Sequence, residues 1–211
     1  MTRLRILLAD DHPIVLQGLR ALVDQAGHEV VGEAQNGHDA VGLAGQLRPD
    51  LAILDIGMPL LNGVDAARQI MKASPSTRTI LLSVHDELQY VVESLRAGVT
   101  GYLVKTRAAE DLVQAIREVS RGGVYLSPSI SREATMACLS GRDSVDIELS
   151  PRERQVLQLV AEGRTTKEAA VVLGISIKTA ESHRARIMEK LDLHGTAELV
   201  RYAIRQGLIE A

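Results

Sequence analysis

Five polar residues are spaced so that they can do phosphoryl chemistry. Asp10 and Asp11 follow an apolar run at 5–9, Asp55 follows one at 51–54, Ser83 closes one at 79–83, and Lys105 closes one at 101–104. If these runs are strands of one parallel sheet, their carboxyl ends form a single crevice, where such sheets gather functional groups. Three carboxylates crowded there repel one another unless a cation sits among them. Mg²⁺ suits the position, because it takes hard oxygen ligands and keeps waters that yield to a phosphoryl oxygen. Lys105 adds fixed positive charge and Ser83 a hydroxyl donor. A carboxylate nucleophile, a divalent metal and such donors suffice for phosphoryl transfer when another molecule brings the group. Asp55 is the expected nucleophile. Taken singly, each acidic residue reads as an ordinary solvated loop residue; it is their joint placement at strand ends that points to a site.

The elements that must position these residues are readable from the pattern of apolar residues. Short aliphatic runs at 5–9, 29–34, 51–54, 79–83 and 101–104 alternate with amphipathic stretches at 13–26, 37–47, 63–74, 87–97 and 108–120. Gly27 and Gly98 stand where helices should stop. This alternation predicts an α/β domain over residues 1–122: a five-stranded parallel, doubly wound (flavodoxin-like) sheet. After Gly122-Gly123 the alternation ends, and residues 123–147 read as a linker that could be helical near 130–139.

Residues 148–211 read as an all-α domain of four helices. Ser150-Pro151-Arg152-Glu153 and Thr165-Thr166-Lys167-Glu168 are both capping boxes, and Ser176 can cap a third helix. Gly174 precedes it, leaving the short turn that a helix-turn-helix needs. A fourth helix is expected from Gly195 or Thr196 to about Gln206. On a wheel of the third helix, Ala180, His183, Ile187 and Leu191 share the inward side, with Arg184 at its border. Lys178, Ser182 and Ala185 face out, flanked by Glu181 and Arg186. Small and polar residues near a helix start can approach base edges, while Lys and Arg neutralise phosphates. The expected DNA-contacting set is Thr166, Lys167, Lys178, Thr179, Glu181, Ser182, His183, Ala185 and Arg186, within a helix-turn-helix at about 166–185, with Lys190 beyond it. Apolar Leu199, Val200, Ala203 and Ile204 on the fourth helix suggest a homodimer, whose two reading helices would meet an inverted repeat in double-stranded DNA.

Composition narrows the remaining choices. The chain has 211 residues and 45% hydrophobic content with no Phe or Trp, so two aliphatic cores are affordable and disorder is excluded. Residues 148–211 carry ten Lys and Arg against nine Asp and Glu, so any affinity for nucleic acid must come from local clustering rather than net charge. The apolar runs are too short to cross a bilayer and the first residues lack a secretory pattern, so a cytoplasmic protein without membrane contact is expected. Cys138 is the single cysteine, which rules out an internal disulfide.

Asp10-Asp11, Asp55-Ile-Gly-Met-Pro59, Leu82-Ser83 and Gly101-Tyr102-Leu-Val-Lys105 together resemble the receiver domains of two-component response regulators. Leu149-Ser-Pro-Arg-Glu-Arg154, Thr166-Lys-Glu-Ala-Ala170, Leu173-Gly-Ile-Ser-Ile-Lys-Thr179 and His183 through Leu191 resemble the LuxR-type helix-turn-helix. In that order the two halves are similar to the NarL/FixJ class. The resemblance implies phosphorylation of Asp55 by a histidine kinase and a metal held by Asp11, Asp55 and the Gly57 carbonyl, with Asp10 acting nearby through water. It further implies Ser83 and Tyr102 as switch residues, DNA binding gated by the phosphate, and an unphosphorylated receiver that covers the recognition helix. A turnover phosphatase is the rival reading. Such enzymes use a second carboxylate two residues beyond the nucleophile, and position 57 is Gly, so no more than slow self-dephosphorylation is expected. A regulator independent of phosphorylation is the second rival.

Overall fold

The structure, a computed structural model, describes residues 3–84, 88–130 and 149–209. Its first part is a parallel sheet of six strands in the order β2-β1-β3-β4-β5-β6. The strands are β1 (Arg5–Ala9), β2 (Glu29–Ala34), β3 (Leu51–Asp55), β4 (Arg78–Ser83), β5 (Gly101–Val104) and β6 (Tyr125–Leu126). Between them run α1 (Pro13–Gln25), α2 (Gly37–Leu47), α3 (Gly63–Ala73), α4 (Leu88–Arg96) and α5 (Ala108–Ser120).

Alternate residues of each strand feed opposite faces, as the period of a strand requires. Leu7, Ala9, Ala52, Leu54 and Leu81 pack with α2, α3 and α4, while Ile6, Leu8, Ile53, Ile80 and Leu82 pack with α1 and α5. A sheet covered on both faces is buried throughout, which is why its strands read as unbroken aliphatic runs.

The sixth strand corrects the expected count of five. Tyr125 and Leu126 pair with Gly101 and Tyr102 in parallel register. Their backbone bonds continue into Ser127 N–H donating to the Tyr102 carbonyl (3.0 Å), and the Ser127 hydroxyl donates to Asp111 (2.9 Å). A two-residue strand has no period to read, so it passed as the beginning of the linker. The helix considered near 130–139 lies, apart from Ile130, outside the described residues.

The second part comprises α6 (Pro151–Ala161), α7 (Thr166–Leu173), α8 (Ile177–Lys190) and α9 (Thr196–Arg205). Both capping boxes form, and Ser176 caps α8 by accepting from the Thr179 N–H (3.1 Å). Gly174 closes α7 at φ 64°, leaving three residues before α8. Val156, Leu159, Ala169, Ile187, Leu199 and Ala203 form the core of this domain.

Candidate functional site

The strand ends bring the sequence-predicted residues of the first domain together. Asp10 follows β1, Asp55 is the last residue of β3, Ser83 the last of β4, and Lys105 opens a 3₁₀ turn directly after β5. Pairing of Ala9 with Leu54 and of Ser83 with Val104 sets these positions side by side. Asp55 thus belongs to its strand rather than following it, because its backbone still pairs with Leu82.

Lys105 joins the carboxylates. Its Nζ lies 2.7 Å from Asp55 Oδ1 and 3.0 Å from Asp10 Oδ2, with both aspartates essentially without solvent contact. Burial alone would lower the Lys105 pKa, but the charge of Asp55, hydrogen bonds to Asp55 and Asp10, and the charge of Asp10 raise it above the ordinary lysine value. The ammonium therefore stays charged and offsets the repulsion between two buried carboxylates. Asp10 is also held from the backbone side, since His12 N–H donates to its Oδ1 (2.9 Å).

His12 is an addition the sequence reading did not include. Its Nδ1 lies 2.9 Å from Asp11 Oδ1 and 3.3 Å from Asp10 Oδ1. Asp11, opposed by burial and supported by Asp10, raises its pKa. Asp10, Asp11 and His12 place donor atoms within 4.8 Å of one another. Asp10 and Asp11, with Asp55 joined to Asp10 through Lys105, offer hard oxygen donors of the kind that suits Mg²⁺.

Gly63 is a second residue that sequence reasoning passed over. A Cβ there would sit 2.1 Å from the Asp55 carbonyl oxygen, so only glycine lets α3 start this close to the end of β3. Asn62 caps the helix by accepting from the Asp65 N–H (2.9 Å), and Gly63 N–H donates to the Ile56 carbonyl (3.0 Å). Gly57 lies in the loop between, half-buried. Tyr102 is fully buried in the core on the α2–α4 face of the sheet, and Ser83 is buried too.

In the helical domain α8 is arranged as the wheel predicts. Ala180 and Ile187 are buried and His183 half-buried, while Lys178, Thr179, Glu181, Ser182, Ala185 and Arg186 are exposed. Ser182 Oγ donates to the Lys178 carbonyl (2.9 Å). Lys167 at the start of α7 is exposed. Two of the expected DNA-contacting residues are engaged within the fold. Arg184 donates to the hydroxyls of Thr166 (3.2 Å) and Thr196 (2.9 Å), tying α8 to α7 and α9, and Lys190 donates to Glu153 of α6 (2.8 Å).

The two domains touch, but not where expected. The outer face of α8 is open, so the first domain does not cover that helix as expected; it docks on α6 instead. Gln158 of α6 accepts from the Asn62 N–H (2.9 Å) and donates to the Met58 carbonyl (3.0 Å), and Glu162 accepts from the Leu60 N–H (3.0 Å). Leu60, at φ 68°, packs against the core of the helical domain. Arg154 lies 3.4 Å from Asp65 and 3.0 Å from Glu93 of α4. The seat on α6 is made by the buried Gln158 amide and by the half-buried Glu162 carboxylate at the end of that helix, which pair with backbone groups of the β3–α3 loop.

Comparison with known proteins agrees with both halves. Residues 6–117 match the response regulator receiver domain, and residues 148–203 match the luxR family of bacterial regulatory proteins. The transcriptional regulatory protein MctR of Rhizobium johnstonii is 38% identical over 210 residues, covering 98% of this chain and 96% of that protein. The response regulator UvrY of Escherichia coli is 35% identical over 211 residues, covering 99% and 97%. Among solved structures, RcsB from Salmonella enterica serovar Typhimurium, bound to promoter P1flhDC in the presence of the phosphomimetic BeF3-, is 30% identical. It covers 95% of this chain and 98% of that one at a TM-score of 0.67. With a receiver ahead of a LuxR-type DNA-binding domain along one continuous match, the chain belongs to the NarL/FixJ-type response regulators, the transcriptional regulators of two-component systems.

Proposed function

We propose that Asp55 accepts a phosphoryl group from a sensor histidine kinase and that this modification controls how residues 148–211 engage promoter DNA. The observation that carries the reading is the Asp55–Lys105–Asp10 arrangement: a buried carboxylate at a strand end, held 2.7 Å from an ammonium, beside a second acidic pair. Asp10, Asp11, Asp55 and the Gly57 carbonyl would hold Mg²⁺, which neutralises charge on the entering phosphoryl oxygens when bound. Lys105 and the Ser83 hydroxyl supply further donors to those oxygens. Ser83 and Tyr102 act as the switch, moving toward the phosphate and altering the surface near α4. That surface includes Glu93, which already meets Arg154 of the DNA-binding domain.

Residues 1–122 are the receiver, 123–147 the linker and 148–211 the DNA-binding domain. Reading of base edges falls to Thr179, Glu181, Ser182 and Ala185, and phosphate contact to Lys167, Lys178, Arg186 and His183, with Thr166 and Lys190 at the margins. Two copies would bind an inverted repeat as a homodimer. The RcsB structure on promoter DNA with a phosphomimetic supports the link between phosphate and DNA. Among the described residues no helix is long and apolar enough to cross a membrane, which accords with action in the cytoplasm. Gly57 stands where a turnover phosphatase would need an acid-base carboxylate, so the chain performs no more than slow self-dephosphorylation.

Acetyl phosphate with and without Mg²⁺, followed by intact-mass measurement, tests the acceptor. One phosphoryl group added to wild type in Mg²⁺, and none to Asp55→Asn, is the expected result. Equal incorporation in the two proteins would place the acceptor elsewhere.

A further inference from the structure

The cleft beside Asp55 is not walled by the receiver alone. Asp55, Gly57, Ser83 and Val84 line one side, and Gly207 and Ile209 from the end of the DNA-binding domain line the other. Between these walls the cleft, partly open to solvent, leaves about 10 Å³ of free room, about what one water needs and less than a phosphoryl group requires. We infer that the docked DNA-binding domain restrains phosphorylation itself: α6 holds the β3–α3 loop, the segment after α9 closes the pocket, and phosphoryl entry requires the domain to lift away. The inference rests on Asp55 being the acceptor.

Three sets of contacts build this device. Gln158 is almost fully buried and uses both ends of its amide, accepting from Asn62 N–H and donating to the Met58 carbonyl and to Glu162 (2.8 Å). Glu162 in turn accepts from Leu60 N–H. Every bond to Met58, Leu60 and Asn62 thus fixes the loop that carries Gly57, seven residues or fewer from the acceptor. The third set anchors the closing segment. Tyr90 Oη donates to the Arg205 carbonyl (2.6 Å), and Gly207, at φ 62°, passes so near the Tyr90 ring that a Cβ would lie 2.5 Å from it. The chain therefore reaches Ile209 along a path determined by α4.

The walls on the receiver side are ends of paired strands and the loop between β3 and α3. Gly207 and Ile209 belong to a separate domain and can withdraw with it. In the transfer, an Asp55 carboxylate oxygen bonds to phosphorus as the bond from phosphorus to the acyl oxygen of acetyl phosphate breaks. Acetate leaves with that electron pair, and no proton changes hands. The Asp55 oxygen must approach phosphorus opposite the leaving acetate, and the narrowed cleft leaves no room for the donor to take that position. Because linkage is reciprocal, whatever favours the phosphorylated pocket also favours release of α6.

The test uses the full chain as wild type, Gln158→Ala, Glu162→Ala and the double variant. Before any donor is added, hydrogen exchange at the Leu60 and Asn62 amides should speed up in the variants, since their acceptors are gone. With acetyl phosphate and Mg²⁺, the initial rate of Asp55 modification should rise about threefold in each single variant and about tenfold in the double, as the open fraction grows. A misfolded receiver cannot produce a faster rate, so a gain is not a folding artefact. Faster exchange with an unchanged or slower modification rate would overturn the inference, as would unchanged exchange. If no protein, wild type included, takes up phosphate, the acceptor reading fails first and takes the inference with it.

Discussion

The acidic pocket and the recognition helix are built in opposite ways. The pocket gathers Asp10, Asp55, Ser83 and Lys105 from the ends of four strands, and buries the two paired aspartates almost completely. The proposed recognition face is one stretch of α8, whose outward side chains are exposed and lie within a few turns of each other. Chemistry on a small group needs convergence and exclusion of water, whereas reading a duplex needs a protruding surface. The pocket should therefore fail through loss of folding electrostatics, and the recognition face through loss of contact with little change in stability.

The largest expected effect breaks the pocket. Lys105→Ala leaves Asp10 and Asp55 facing each other without their common cation, a loss of about 3 kcal/mol for a buried pair deprived of one partner. Urea unfolding without divalent ions should register that loss, and added Mg²⁺ should restore part of it. No rescue by Mg²⁺ would mean that the carboxylates do not share a metal. Next comes Gly63→Ala, whose Cβ would enter the Asp55 carbonyl at 2.1 Å. The receiver should lose about 2 kcal/mol while the helical domain unfolds as before. A calorimetric scan resolves the two, and an unaltered receiver transition would show that α3 can shift freely.

On the recognition side the effects are smaller and of another kind. Arg186→Ala should weaken DNA binding across unrelated sequences and reduce the salt slope by about 1, with unfolding unchanged. Fluorescence anisotropy at several salt concentrations measures this; a change confined to one sequence would make Arg186 a base reader instead.

The smallest effect links the faces of the helical domain. Burial pushes the Glu153 pKa up, but hydrogen bonds from Lys190 and Ser150, with the charge of Lys190, bring it below the ordinary carboxylate value. A depressed carboxylate contributes stability above its unfolded pKa, and that contribution is lost as pH falls through the folded value. Glu153→Gln should cost about 1 kcal/mol at neutral pH, and the difference should vanish in acid. Denaturant titrations from pH 7 to about pH 3 read that difference.

Much of the pocket was legible because aliphatic runs mark strands, and a residue at or just beyond a strand's carboxyl end faces a predictable crevice. Asp10, Asp55, Ser83 and Lys105 all met that test. The recognition helix was legible for a simpler reason, since Ser176, Gly174 and the inward Ala180–Ile187 pair lie within one local stretch. Gly63 was not legible: a glycine at a helix start is ordinary until the neighbouring strand end is known. Gln158 was hidden more deeply, because the Asn62 backbone it meets lies 96 residues away and no periodicity marks such a match. The receiver's seat on α6 rather than α8 is therefore a property of two surfaces, invisible in either stretch of sequence alone.

The central claim is that a phosphate on Asp55 changes how the second domain engages DNA. Affinity for one promoter fragment bearing a bound site should be measured for wild type and Asp55→Asn, each with and without acetyl phosphate and Mg²⁺. The account predicts that the donor tightens binding of wild type about tenfold or more, within the usual range of coupling between sites, and leaves the variant unchanged. Equal affinities for wild type in both conditions, with phosphate verified on Asp55, would contradict it.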